Sequence, residues 1–151
     1  MLIKKLYCAL AMLAIMLLAC SKQAPEINIA DNWVRANAES QDLGAAYMTI
    51  TSASDTSLIK VESSVTQSVE IHSMSMDNGV MKMRMLKELD LKANTPNKLA
   101  PGGFHLMLFD LKKPLKAGET ISFTLHFKNQ DGKQSLVTVN SPVLAEQPSA
   151  N

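Results

Sequence analysis

The chain has 151 residues, 46% of them hydrophobic and 19% charged, with 15 Lys plus Arg against 14 Asp plus Glu. That is the length and balance of one globular domain able to bury a core. One Trp, two Tyr, four Phe and no basic stripe exclude the charged, ring-bearing surface that nucleic-acid binding needs.

At the N-terminus, Lys4 and Lys5 precede an apolar run from Cys8 to Ala19, which falls short of the roughly 20 residues that cross a bilayer. Residues 1–19 therefore read as a signal peptide rather than a membrane-spanning helix. The run ends Leu17-Leu18-Ala19-Cys20 and resembles the bacterial lipobox, where cleavage falls before a cysteine that is then lipidated. Cys20 is the expected lipid anchor, and residues 20–31, with Pro25, are the expected tether. Loss of Lys4 and Lys5 leaves 13 cations against 14 carboxylates, a net charge near zero. Cys8 leaves with the leader and Cys20 carries the lipid, so no cysteine remains for a disulfide or a thiolate site.

Residues 32–143 show short apolar runs of period 2 separated by Asp, Asn, Gly, Pro and Ser, and no helical period. The predicted strands are 45–51, 58–62, 68–72, 80–86, 105–111, 120–127 and 135–139. In the clearest, Ile121, Phe123, Leu125 and Phe127 alternate with Thr120, Ser122, Thr124 and His126. This predicts an all-β domain, a two-sheet Greek-key β-sandwich, followed by a C-terminal tail at 144–151.

Residues 69–85, VEIHSMSMDNGVMKMRM, hold five methionines and one histidine. Asp77-Asn78-Gly79 is a tight-turn signal, so a hairpin is expected. With Asp77 and Asn78 at the centre of the turn, position 72 faces position 83; with Asn78 and Gly79, position 74 does. Both registers put His72, Met74 and Met76 on one face with Met81, Met83 and Met85. A second stretch, PGGFHLMLFDL, carries His105 and Met107 on one strand face, about 6.6 Å apart, after a turn that would place them at an accessible rim. Soft, neutral thioethers with imidazole suit Cu(I) and discriminate against hard ions. Unlike thiols, they neither need deprotonation nor form disulfides. Methionine is also a common core filler; Met48, Met81 and Met85 are assigned to the core, and His126 to the surface.

His72, ten residues, Met83, twenty-one residues, then His105-x-Met107 resembles the H-x10-M-x21-H-x-M pattern of the periplasmic copper chaperones called PCu(A)C. NWVRA, GAAYMTI, VEIH, DNGVMKMR, PGGFHLMLFDLKKPLKAGE and ISFTLHF resemble that family too. The likeness implies a cupredoxin-like β-sandwich that binds one Cu(I) at an exposed site through His72, Met83, His105 and Met107. Met74 and Met76 are auxiliary candidates. It further implies delivery of copper to cytochrome c oxidase, chiefly toward the CuA centre of subunit II, sometimes alongside a Sco-type protein. The expected setting is the periplasm of a Gram-negative bacterium, as a membrane-anchored, monomeric lipoprotein. The His/Met-rich C-terminal extension of some relatives is not seen in PVLAEQPSAN.

A blue-copper carrier needs a Cys thiolate, which this chain does not offer. An enzyme is not expected: the chain has no H-E-x-x-H, no G-x-S-x-G and no cysteine nucleophile. The alternatives carried forward are a lipid-anchored adaptor or assembly factor that uses the methionine face for docking, and a copper storage or detoxification protein.

Overall fold

The computed structural model describes residues 26–148. The expected signal peptide, Cys20 and the first part of the expected tether lie outside the described residues, as do the last three residues of the expected tail. Ten strands follow in chain order: β1 (Ile27–Arg35), β2 (Gly44–Ser52), β3 (Thr56–Ser63), β4 (Ser68–Asp77), β5 (Val80–Leu86), β6 (Leu89–Leu91), β7 (Asn97–Leu99), β8 (His105–Phe109), β9 (Thr120–Asn129) and β10 (Gln134–Leu144). The described residues contain no helix, and none long and apolar enough to cross a membrane.

Alternating apolar positions commit a strand such as β9 to one buried face. In β9, Ile121, Phe123, Leu125 and Phe127 are at most 3% exposed, while the residues between them stay partly wet. Burying each of those large side chains contributes about 1.5–3 kcal/mol.

Hydrogen bonding runs along one path, β5-β4-β8-β2-β1-β10-β9-β3-β6, with β7 paired to β2. Its middle link is narrow: β1 and β10 pair in parallel only at Val34↔Val143 and Arg35↔Leu144. The path thus divides into two halves. Val34, Met48, Ile71, Leu106 and Leu108 from one and Leu58, Phe123, Leu125 and Phe127 from the other enter a common core. The all-β expectation holds, and the core is that of a sandwich.

Several boundaries differ from the reading of the sequence. β1 begins at Ile27, inside the segment read as tether, and pairs with β2 from Ile27↔Ser52 onward. A bulge between Ala30 and Trp33, with Asp31 at φ 50°, breaks its alternation and hides the strand from a period-2 search. β6 and β7, three residues each, are too short to show a period.

Candidate metal centre

β8 is placed by its core side: Leu106 and Leu108 are fully buried. Alternation then sends His105 and Met107 to the opposite face. Antiparallel pairing sets Ile71 opposite Leu106, His72 opposite His105, and Glu70 opposite Met107. On the other edge of β4, His72 pairs with Met85, Met74 with Met83, and Met76 with Met81. Directly opposed residues project from the same face. His72, Met74, Met76, Met81, Met83, Met85, His105 and Met107 therefore share one.

The turn selects this register. Asn78 and Gly79 both have positive φ, 51° and 78°, the requirement of a two-residue type I′ hairpin. It is the second of the two registers expected, with position 74 facing 83.

The His72 and His105 ring centroids are 5.8 Å apart. His72 Nε2 lies 2.7 Å from Glu70 Oε2, while its Nδ1 is buried with no hydrogen-bond partner. His105 Nδ1 lies 3.1 Å from the Gly103 carbonyl oxygen. A carbonyl oxygen only accepts, so His105 Nδ1 carries the hydrogen and Nε2 the lone pair. A carboxylate likewise only accepts, so His72 Nε2 carries the hydrogen and Nδ1 the lone pair. Each imidazole thus has one nitrogen held by the protein and one available as a donor, the usual arrangement for a metal-ligating histidine.

Met74, Met83, His105 and Met107 line a depression of about 200 Å³ together with Arg35 and Tyr47. A larger cleft of about 970 Å³, near Lys112, Lys113 and Lys116, has neither His nor Met in its walls. Among the described residues no three His, Cys, Asp or Glu side chains gather into a metal-binding group. What gathers in the depression instead is one imidazole, His105, with three thioethers. His72 does not line it but stands behind His105, its ring centre 5.8 Å away, and imidazole with thioether is a set that fits a soft monovalent ion.

The expected accessibility needs correction. His72 and His105 are 8% and 4% exposed, whereas Met83 is 46% exposed; the site has a buried imidazole floor and an open thioether side. Met81 and Met85, assigned to the core, are 63% and 59% exposed. The reason is topological: β5 is the edge strand of the path and β8 pairs with β4 only at Ser68–His72, so Met81 and Met85 lie on a strand that no further described strand flanks. Met48 is in the core as expected, 1% exposed. Met74 joins the depression, while Met76, on the free part of the hairpin, does not. His126 is remote from this face and pairs with Glu62 at 3.0 Å.

Glu70, Arg35 and Tyr47 escaped the reading of the sequence. Glu70-x-His72 carried a usable signal, since residues two apart on a strand share a face. Arg35 and Tyr47 carried none, because they arrive from β1 and β2. The Arg35 guanidinium sits 5.7 Å from the Tyr47 ring centre and 5.8 Å from that of Trp33. Burial holds the Tyr47 phenol above its ordinary range, with Arg35 pulling the other way.

The family model "Putative lipoprotein LpqE-like" matches residues 27–143. The chain belongs to the LpqE-like lipoprotein family. A relative in Leifsonia xyli subsp. xyli, "Putative lipoprotein Lxx21020", is 34% identical over 119 residues, 78% of this chain and 70% of that protein. Among solved structures, the copper-bound PCuAC domain from PmoF2 superposes with a TM-score of 0.62 at 25% identity, covering 82% of this chain and all of that one. The solution structure of Cu(I)-DR1885 from Deinococcus radiodurans gives a TM-score of 0.58 at 30% identity, over 83% of this LpqE-like chain and 82% of that one.

Proposed function

We propose that this protein is a copper chaperone that holds one Cu(I) through His72 Nδ1, His105 Nε2, Met83 and Met107, and gives it up to an acceptor outside the cytoplasm. The observation that carries the reading is the pairing of His72 opposite His105, with thioethers on the same face and no cysteine among the described residues. The likeness to a copper-bound PCuAC domain supports it. Lipidation of Cys20, a position in the periplasm and action as a monomer belong to the same proposal. So does the recipient, the CuA centre of cytochrome c oxidase subunit II, with or without a Sco-type protein.

The cargo would sit between buried imidazoles, which fix it, and Met83, which opens to solvent. A thioether is neutral bound or free, so its replacement by an acceptor's thiolate or imidazole moves no proton at Met83. Copper would pass through shared coordination, entering from the Met83 side. Arg35 beside the depression disfavours any cation, and a divalent one twice as strongly in Coulomb terms.

The test is a competition titration of Cu(I) against a chromophoric chelator, with metal analysis. One equivalent bound tightly enough to compete with the chelator, and lost in His72→Ala and Met107→Ala, is expected. Absence of binding would hand the lead to the adaptor reading. If loaded protein leaves an apo-CuA domain empty over hours, delivery to that centre is abandoned.

A further inference from the structure

The β4–β5 hairpin carries more sulfur than a four-ligand site uses. Beyond His72 it extends past the end of the β4–β8 ladder as a two-stranded arm. Three opposed pairs run along one face of it: Met76↔Met81 near the tip, Met74↔Met83 in the middle, and His72↔Met85 at the base. Met76, Met81 and Met85 are 67%, 63% and 59% exposed, so core packing, the ordinary reason for methionine, does not account for them. Lys82 and Arg84 alternate with the methionines of β5 and point the other way, which leaves this face without charge from its own strand.

Opposed side chains on paired strands have Cβ atoms about 4.5–5.5 Å apart. Two flexible thioethers at that separation can close on one soft ion between them. Successive pairs are about 6.8 Å apart along the strand, within the reach of an unbranched side chain with three rotatable bonds.

We propose that Met76 and Met81 form an outer station for a soft monovalent cation, joined through the Met74/Met83 pair to the buried histidines. This rests on the Cu(I) reading above and extends it to a second equivalent. Each transfer along the arm breaks one metal–thioether bond as another forms. The metal stays Cu(I), and no electron or proton moves. Two thioethers without imidazole hold the ion more weakly than the inner site, as a loading position should.

The test is a Cu(I) titration, under reducing conditions, of the full chain in detergent micelles carrying 13C-methyl methionine, with signals assigned by single Met→Leu variants. The Met107 and Met83 methyl signals are expected to shift with the first equivalent, and those of Met76 and Met81 with the second. In Met76→Leu/Met81→Leu, which keeps the apolar surface and removes the sulfur, the second equivalent is lost. If the Met107 signal titrates while those of Met76 and Met81 stay still, or if the leucine variant keeps the second equivalent, the outer station is overturned and the inner site stands. If no methyl signal moves, both readings fall.

Discussion

His72 and His105 stand directly opposite one another across the β4–β8 ladder, with ring planes tilted by 45°. One nitrogen of each is engaged, by Glu70 and by the Gly103 carbonyl. The same carbonyl accepts the Met74 backbone N–H at 3.1 Å. One oxygen thus ties the orientation of His105 to the position of the thioether strand. Replacing either histidine by alanine should weaken Cu(I) binding more than about 100-fold, beyond the 10–100-fold range typical of groups that only orient a ligand. His126→Ala should leave binding unchanged, because His126 lies in β9 and pairs with Glu62. Chelator competition on the three variants checks this.

Glu70 acts through His72 and needs a different readout. Glu70→Ala should lower Cu(I) affinity about 10-fold, the low end for an orienting carboxylate. Glu70→Gln keeps an acceptor oxygen and should lose less. In the 15N spectrum of the metal-free protein, the His72 hydrogen should sit on Nε2 and become shared between both nitrogens in Glu70→Ala. An unchanged spectrum would remove Glu70 from this role.

Two methionines of the same chemistry should separate stability from binding. Met48 is buried in the common core, so Met48→Ala should cost about 2–5 kcal/mol in urea unfolding. Met83 is half exposed, so Met83→Ala should stay within about 0.5 kcal/mol yet lose Cu(I). Similar unfolding costs for the two would contradict the exposed placement of Met83.

The hairpin turn offers a local test. Gly79 has φ 78° with open space around a would-be Cβ, so the penalty in Gly79→Ala is backbone strain alone, about 1–2 kcal/mol. Because the arm projects from the sheet, it should open locally. Amide exchange in β4 beyond His72 and in β5 should quicken, while that of β9 should not.

Acid should weaken the fold through two carboxylates. Asp55 accepts the Ala93 N–H at 2.8 Å and the Lys92 ammonium at 3.0 Å, and these hold its pKa below the ordinary value. Glu62 is lowered by Lys60 and then His126. A group whose folded pKa is depressed stabilises the fold above its unfolded pKa and loses that contribution as pH falls through the folded value. The loss should therefore appear below about pH 4. Asp55→Asn should flatten that limb in thermal melts recorded against pH. An identical limb in the variant would remove Asp55 as its source.

Much of the candidate site was legible because strands have a period of two. The even-before, odd-after rule across Asn78-Gly79 placed five hairpin methionines and His72 on one face without any knowledge of the fold. His105 and Met107 followed from their own alternation with Leu106 and Leu108. The same rule failed for β1, where the bulge at Asp31 shifts the phase, and for β6 and β7, which are too short to show one.

Local pattern determines which residues share a face, since that depends on backbone geometry over a few residues. It does not determine whether the face is covered, which depends on where the neighbouring strand ends. Only the tertiary structure decided that β8 stops pairing at His72, and so that His72 and His105 are buried while Met81 and Met85 lie open. It alone brought Arg35 and Tyr47 to the rim, from strands more than twenty residues away in sequence, through ladder pairings that no local period encodes.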